Sequence, residues 1–261
     1  MHFNIKASTI KIRIRNIFEI KNKIYQEDLK MIDSLEMCRN KEEYEMIKAV
    51  IFDMDGLMID SERVTFDGYK KIMEEMGLEV TKEFYVSLLG KPIKGIYQRF
   101  YDVYGNDFPI ETVIKQVHEY MADLFETEGV PLKEGLKELL QYLKDNHYKT
   151  IVATSSNRNR VDTILSQANI TQYFDDSICG DEVTNGKPNP EVFLKSCEKL
   201  GVAVNEAIVL EESESGIQAG YSAEIPVICV PDMKYPEPEF ANKTTKIVNT
   251  LHDVIDYLKE S

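Results

Sequence analysis

Apolar and polar positions alternate in different ways along different stretches of the chain. Four runs, Ala49-Val50-Ile51-Phe52, Thr150-Ile151-Val152-Ala153, Ala207-Ile208-Val209-Leu210 and Val227-Ile228-Cys229-Val230, are short, continuously apolar and rich in β-formers. A strand covered on both faces has this composition, so each run predicts a buried parallel strand. Between them the period lengthens to that of a helix. Leu136, Leu139, Leu140 and Leu143 share one face of 132–146, and 158–168 and 190–200 are also amphipathic. Strand alternating with helix predicts a doubly wound, Rossmann-like α/β parallel sheet.

Residues from about 61 to 129 break that rhythm. The stretch is helical throughout, with apolar faces read from Ile72, Met76 and Leu78 and then from Ile96, Phe100 and Val103. An α/β sheet takes its ligands at the carboxyl ends of its strands. An insertion leaving after the first strand is therefore expected to form an α-helical cap over that crevice. The expected organisation is a core of 46–61 and 129–261, a cap of 62–128, and an extension of 1–45.

The extension differs in composition. It has no Gly or Pro and holds 9 basic against 8 acidic residues, leaving 22 against 37 in the remainder. Its one regular feature, the alternation from Ile10 to Arg15, has no partner strand or turn beside it, so the extension is expected to be poorly ordered. The functional polypeptide is expected to start at Met46, just before the first strand.

Composition narrows the classes of function. A net charge of −14 offers no basic footprint for a phosphate backbone, which argues against nucleic acid as a partner. Cys38, Cys179, Cys197 and Cys229 form no C-x-x-C pair and the four histidines stand apart, so neither zinc nor a disulfide framework is expected. No stretch reaches the roughly 20 apolar residues of a membrane span. A cytoplasmic monomer is the expectation. His118, His147 and His252 lack an acidic or cysteine partner at ligand spacing and are expected to be structural.

The chemistry concentrates at the strand ends. Asp53-Met54-Asp55-Gly56 leaves the first strand with two carboxylates at i and i+2 beside a glycine that permits a tight turn. Two carboxylates in one small space need a cation or a proton, as in a Mg²⁺ site completed by substrate phosphate. Thr154, Ser155, Ser156 and Asn157 precede a helix, where capping side chains and free N–H groups also make an anion site. Lys91 and Lys94, in the turn Gly90 to Gly95, are candidate substrate contacts for an anionic ligand.

The segment Asp53-Met54-Asp55-Gly56-Leu57-Met58-Ile59-Asp60-Ser61-Glu62 resembles the first motif of the haloacid dehalogenase superfamily of phosphatases and phosphomutases. Ala153 to Asn157, Gly186-Lys187-Pro188 and Leu210-Glu211-Glu212-Ser213-Glu214-Ser215-Gly216 resemble its second, third and fourth motifs, in order. The similarity runs from about Met46 to the end and is nearest to the β-phosphoglucomutase and sugar-phosphatase branch. It implies an Mg²⁺-dependent enzyme acting on a small phosphorylated metabolite. Asp53 would be the nucleophile and Asp55 the general acid–base. Thr154 would bind phosphate, Lys187 would neutralise it, and Asp53, Asp55, Glu211 and Glu212 would hold the metal. Ser155, Ser156 and Asn157 would contact substrate.

The aspartate at position 55 favours phosphate esters over the superfamily's carbon–halogen substrates. Glu212 departs from the usual aspartate of the fourth motif, and its extra methylene displaces the carboxylate by roughly 1–1.5 Å. Thr65 stands where the mutase branch usually carries histidine, and Ile93 where it carries an arginine. Hydrolysis is therefore expected over phosphomutase activity. A catalytically weak phosphate-binding protein is the remaining alternative, prompted by Glu212.

Overall fold

The computed structural model describes residues 47–260. The expectations for residues 1–45, and Cys38 with them, lie outside the described residues.

In chain order the elements are β1 (Ala49–Phe52), α1 (Ser61–Glu75), α2 (Lys82–Val86), α3 (Ile93–Tyr104), α4 (Ile110–Thr127), α5 (Leu136–Asp145), β2 (Lys149–Ala153), α6 (Arg158–Gln167), β3 (Asp176–Ile178), α7 (Glu191–Leu200), β4 (Ala207–Glu211), α8 (Glu214–Ser222), β5 (Val227–Cys229), α9 (Pro238–Ala241), β6 (Lys246–Ile247) and α10 (Leu251–Glu260). The strands form one sheet in the order β3-β2-β1-β4-β5-β6, every neighbouring pair parallel. Val50 faces Thr150 on one side and Ile208 on the other. The continuous apolar runs are thus the central strands, and Ala49, Val50, Ile51 and Phe52 are all fully buried. Alternate residues feed two layers. Val50 and Phe52 join the cluster with Leu136, Leu139, Leu140 and Leu143, and Ala49 and Ile51 join Phe193, Val209 and Ile217.

β1 lies between β2 and β4, so the strand order reverses direction at β1. That point opens a crevice beyond the carboxyl ends of the strands, and Asp53 begins there.

The helices α1 to α4 fill the interval between β1 and β2. Their packing differs from the expected faces. Ile72 is buried, but Met76, Leu78 and Val103 are exposed. The α1 helix ends at Glu75 and Gly77 takes a positive φ of 72°, so the helical period does not continue through Met76 and Leu78. The buried face of α1 is Val64, Gly68, Tyr69, Ile72 and Met73. Phe100 is fully buried in an aromatic cluster, edge-on to Phe84 at 5.0 Å and stacked on Phe108 at 5.5 Å.

The two links joining this helical segment to the sheet run beside each other. Asp60 N donates to Pro131 O at 2.8 Å and Lys133 N to Met58 O at 2.9 Å, pairing Ile59 with Leu132 in antiparallel fashion. Met54, Leu57, Met58 and Ile59 are fully buried, which ties the first link into the core.

Candidate active site

Asp53 follows β1 directly and its N–H donates to Leu210 O at 3.0 Å, which holds it to the neighbouring strand. The chain then turns at Gly56, with φ of +84°, and Gly56 N donates to Ile59 O. A Cβ there would stand 3.1 Å from Glu212 Cγ and 3.5 Å from Asp232 Oδ2, so glycine serves both the turn and the close approach of these acids.

Lys187 connects three strand ends. Its Nζ donates to Asp53 Oδ1 at 2.5 Å, Glu211 Oε1 at 2.6 Å and Ala153 O at 3.0 Å, and lies 4.9 Å from the centre of the Phe193 ring. Burial alone would lower the pKa of this ammonium. The attraction of Asp53 and Glu211 outweighs it and holds the lysine above its ordinary range.

Glu211 closes β4 and is fully buried. Its Oε2 accepts from Glu212 N, Ser213 N and Ser213 Oγ, so the carboxylate rests on the start of α8. Gly216 is required beneath it, because a Cβ there would lie 1.7 Å from Glu211 Oε1. Asp53, Glu211 and Glu212 each offer an oxygen within 4.8 Å of the others. Glu212 Oε2 is buried without a hydrogen-bond partner among the described residues. Burial, then Glu211 and Asp53, push the Glu212 carboxyl well above its usual range. Burial also raises Asp53, against the pull of Lys187. Three converging carboxylates against one ammonium, with one orphaned oxygen, fit a divalent cation.

Of the four expected metal ligands, the structure gathers Asp53, Glu211 and Glu212. The Asp55 carboxylate lies elsewhere, accepting from Ser156 Oγ at 2.8 Å and Arg160 at 2.7 Å. Thr154 is buried and its Oγ1 accepts from Ser156 N at 3.1 Å. Asn157 caps α6 by accepting from Arg160 N, and Ser155 is exposed. Lys91 and Lys94 are exposed, and neither lines the pocket that opens beside Glu212, although Leu89 and Gly90 do. His118 lies on α4, where desolvation and then the nearby Arg160 lower its imidazole pKa.

Arg160, Glu62, Tyr85 and Asp232 belong to this region and were not singled out from sequence. Arg160 stands three residues after the cap Asn157, where the helical turn returns the chain to the same face. Glu62 lies within the first motif, one residue into α1. Tyr85 and Asp232 carried no sequence signal.

The fold and these strand-end acids define a class of hydrolytic enzyme. Residues 50–230 match the haloacid dehalogenase-like hydrolase family, and the chain belongs to that family. It is 32% identical over 179 residues to the phosphorylated carbohydrates phosphatase of Thermotoga maritima, spanning 69% of this chain and 82% of that protein. Fructose-1-phosphate phosphatase of Escherichia coli is 26% identical, over 69% of this chain and 94% of its own length. Among solved structures, the β-phosphoglucomutase of Clostridium difficile is similar with a TM-score of 0.63 at 25% identity, covering 82% of this chain and 96% of that one. Among the described residues no helix is long and apolar enough to cross a membrane.

Proposed function

We propose that the chain is a Mg²⁺-dependent phosphatase that hydrolyses a small phosphorylated metabolite of the sugar-phosphate class, through an aspartyl-phosphate on Asp53. The observation that carries this reading is the convergence of Asp53, Glu211 and Glu212 around Lys187, with a second aspartate, Asp55, held two residues on. The same reading makes 62–128, which holds α2 to α4 and all of α1 but its first residue, a cap over a core of 46–61 and 129–261.

Asp53 attacks phosphorus as the bond to the ester oxygen breaks. The leaving oxygen takes the bonding pair and a proton from Asp55. Water then attacks the acyl phosphate, gives its proton to Asp55 and releases phosphate and free Asp53. Lys187 stabilises the charge that spreads over the equatorial oxygens. The Thr154 hydroxyl and the start of α6, with Ser155, Ser156 and Asn157, supply donors to the same oxygens. Asp53, Glu211 and Glu212 would hold Mg²⁺, which neutralises phosphate charge when bound.

Hydrolysis is favoured over phosphoryl return by Thr65 on α1 and Ile93 at the start of α3. Thr65 Oγ1 is engaged with Ser61 O at 2.7 Å and Met121 Sδ at 3.1 Å, so it offers no proton relay of the histidine kind. Ile93 is exposed and carries no charge to grip a distal phosphate. The deciding experiment supplies β-glucose 1-phosphate with a trace of the 1,6-bisphosphate and follows glucose 6-phosphate and free phosphate together. Phosphate release is expected to dominate. Glucose 6-phosphate accumulating well ahead of phosphate would establish a mutase instead.

A further inference from the structure

The pocket beside Glu212 has one wall from the helical segment, at Glu62 and Leu89, and another from the start of α8, at Glu214, and the loop after β5, at Asp232 and Lys234. Most of its charges are already answered. Lys234 pairs with Glu214 at 2.8 Å and Lys133 with Asp232 Oδ1 at 2.6 Å, while Arg160 pairs with Asp55 next to it. Glu62 is different. Its Oε2 accepts from the Tyr85 hydroxyl at 2.5 Å, a neutral donor. Asp232 Oδ2 is buried with no hydrogen-bond partner among the described residues. Burial, and then the neighbouring Asp55 and Asp232, raise the Glu62 carboxyl, which places it among core acids although it rides on α1.

Among the described residues the pocket therefore holds acceptors in excess of donors and no uncommitted lining cation. We propose that Glu62, positioned by Tyr85, determines specificity for the part of the substrate beyond phosphorus. It selects phosphate monoesters whose leaving group carries hydroxyl or ammonium donors and rejects those carrying a second anion. This rests on the phosphatase reading and deepens it.

The physical argument is one of sign. A hydroxyl donates to a carboxylate at little cost, and an ammonium gains a charge-assisted bond. A second carboxylate or phosphate would instead meet Glu62 and Asp232 in a partly dehydrated cleft, where like charges a few ångströms apart repel strongly. Tyr85 fixes one oxygen of Glu62 and leaves the group oriented without neutralising it.

The test compares matched pairs differing in charge: glucose 6-phosphate and glucosamine 6-phosphate against 6-phosphogluconate, and phosphoethanolamine against phosphoglycolate. Turnover of p-nitrophenyl phosphate is the reference. The neutral and cationic members are expected to exceed their anionic counterparts in kcat/KM by about tenfold or more. Where a pair is turned over too slowly, its inhibition constants against the aryl phosphate are read in the same order. Glu62→Gln should shrink the ratio toward one, and Tyr85→Phe should raise KM for the neutral sugar more than it lowers kcat. Melting temperatures of both variants confirm folding, and if either fails to fold the wild-type ratios decide alone. Equal or better use of the anionic members overturns the inference while leaving phosphatase activity intact, as does a Glu62→Gln variant slowed equally on every substrate. Failure to hydrolyse even the aryl phosphate with Mg²⁺ would overturn the phosphatase reading and this inference with it.

Discussion

At the scale of single residues, the site is a set of mutual obligations among buried charges. Asp53 and Glu211 offset the burial of Lys187 and hold its ammonium above the ordinary range, and Asp53 accepts from it in turn. Asp53→Asn keeps the shape and one hydrogen bond while removing the attacking oxygen anion, so turnover of any phosphate ester should vanish with the circular dichroism spectrum unchanged. Appreciable residual activity would exclude an aspartyl-phosphate. Asp55→Asn should slow turnover by about 10²- to 10⁴-fold, the usual contribution of a general acid–base. Glu212 poses a finer question. Its longer arm already lies over Gly56 with Cγ 3.1 Å from where a Cβ would stand, and its carboxylate is within reach of those of Asp53 and Glu211. The surrounding backbone suits the longer side chain. Glu212→Asp is therefore expected to weaken Mg²⁺ binding by about tenfold, within the range typical for disturbing a metal's immediate surroundings. Calorimetric titration measures this directly. Tighter binding would mean that the glutamate is a compromise.

At the scale of elements, the start of α8 has to carry a buried carboxylate. Three donors from residues 212 and 213 meet Glu211, and Gly216 leaves the room they need. Gly216→Ala would drive a methyl group into Glu211 and strip Lys187 of a partner. A loss of about 3–5 kcal/mol in denaturant unfolding is expected, as for a broken buried ion pair, together with loss of activity. A variant of unchanged stability would mean that α8 can shift away from β4. The sequence made the central strands legible because each is buried on both faces and must be apolar throughout. It hid β3 and β6 for the opposite reason. Asp176-Ser177-Ile178 and Lys246-Ile247 are short edge strands with polar residues, and only their pairing reveals them. The face of α1 was misread because Met76 and Leu78 continue an apolar spacing past the point where the chain stops being helical.

At the scale of the whole molecule, the strand-end motifs were legible because the chemistry demands particular residue types directly after particular strands. The wall of the pocket was not. Tyr85 reaches Glu62 across 23 residues and Arg160 reaches Asp55 across 105, contacts made by packing helices rather than by local spacing. The gathering of Asp53, Glu211 and Glu212 has a global consequence for stability, since folding alone forces these acids together. Mg²⁺ at about a hundredfold above its dissociation constant should stabilise the fold by about 2.7 kcal/mol. For a chain of this size that corresponds to roughly 5–10 °C in melting temperature. Differential scanning fluorimetry with and without Mg²⁺ reads the shift, and Glu212→Gln should abolish most of it. An equal shift in that variant would place the ion elsewhere.

The paired links at Ile59 and Leu132 bring the two ends of a segment of some seventy residues side by side before that segment begins. A piece of chain whose ends already touch can be exchanged for a longer, shorter or differently folded one without opening the sheet, because the entropy of closing the loop grows only slowly with its length. The junction behaves as a socket. Selection or design can then replace the helical segment while the strand-end acids are left alone, and splicing at 59 and 132 is where such an exchange would disturb least.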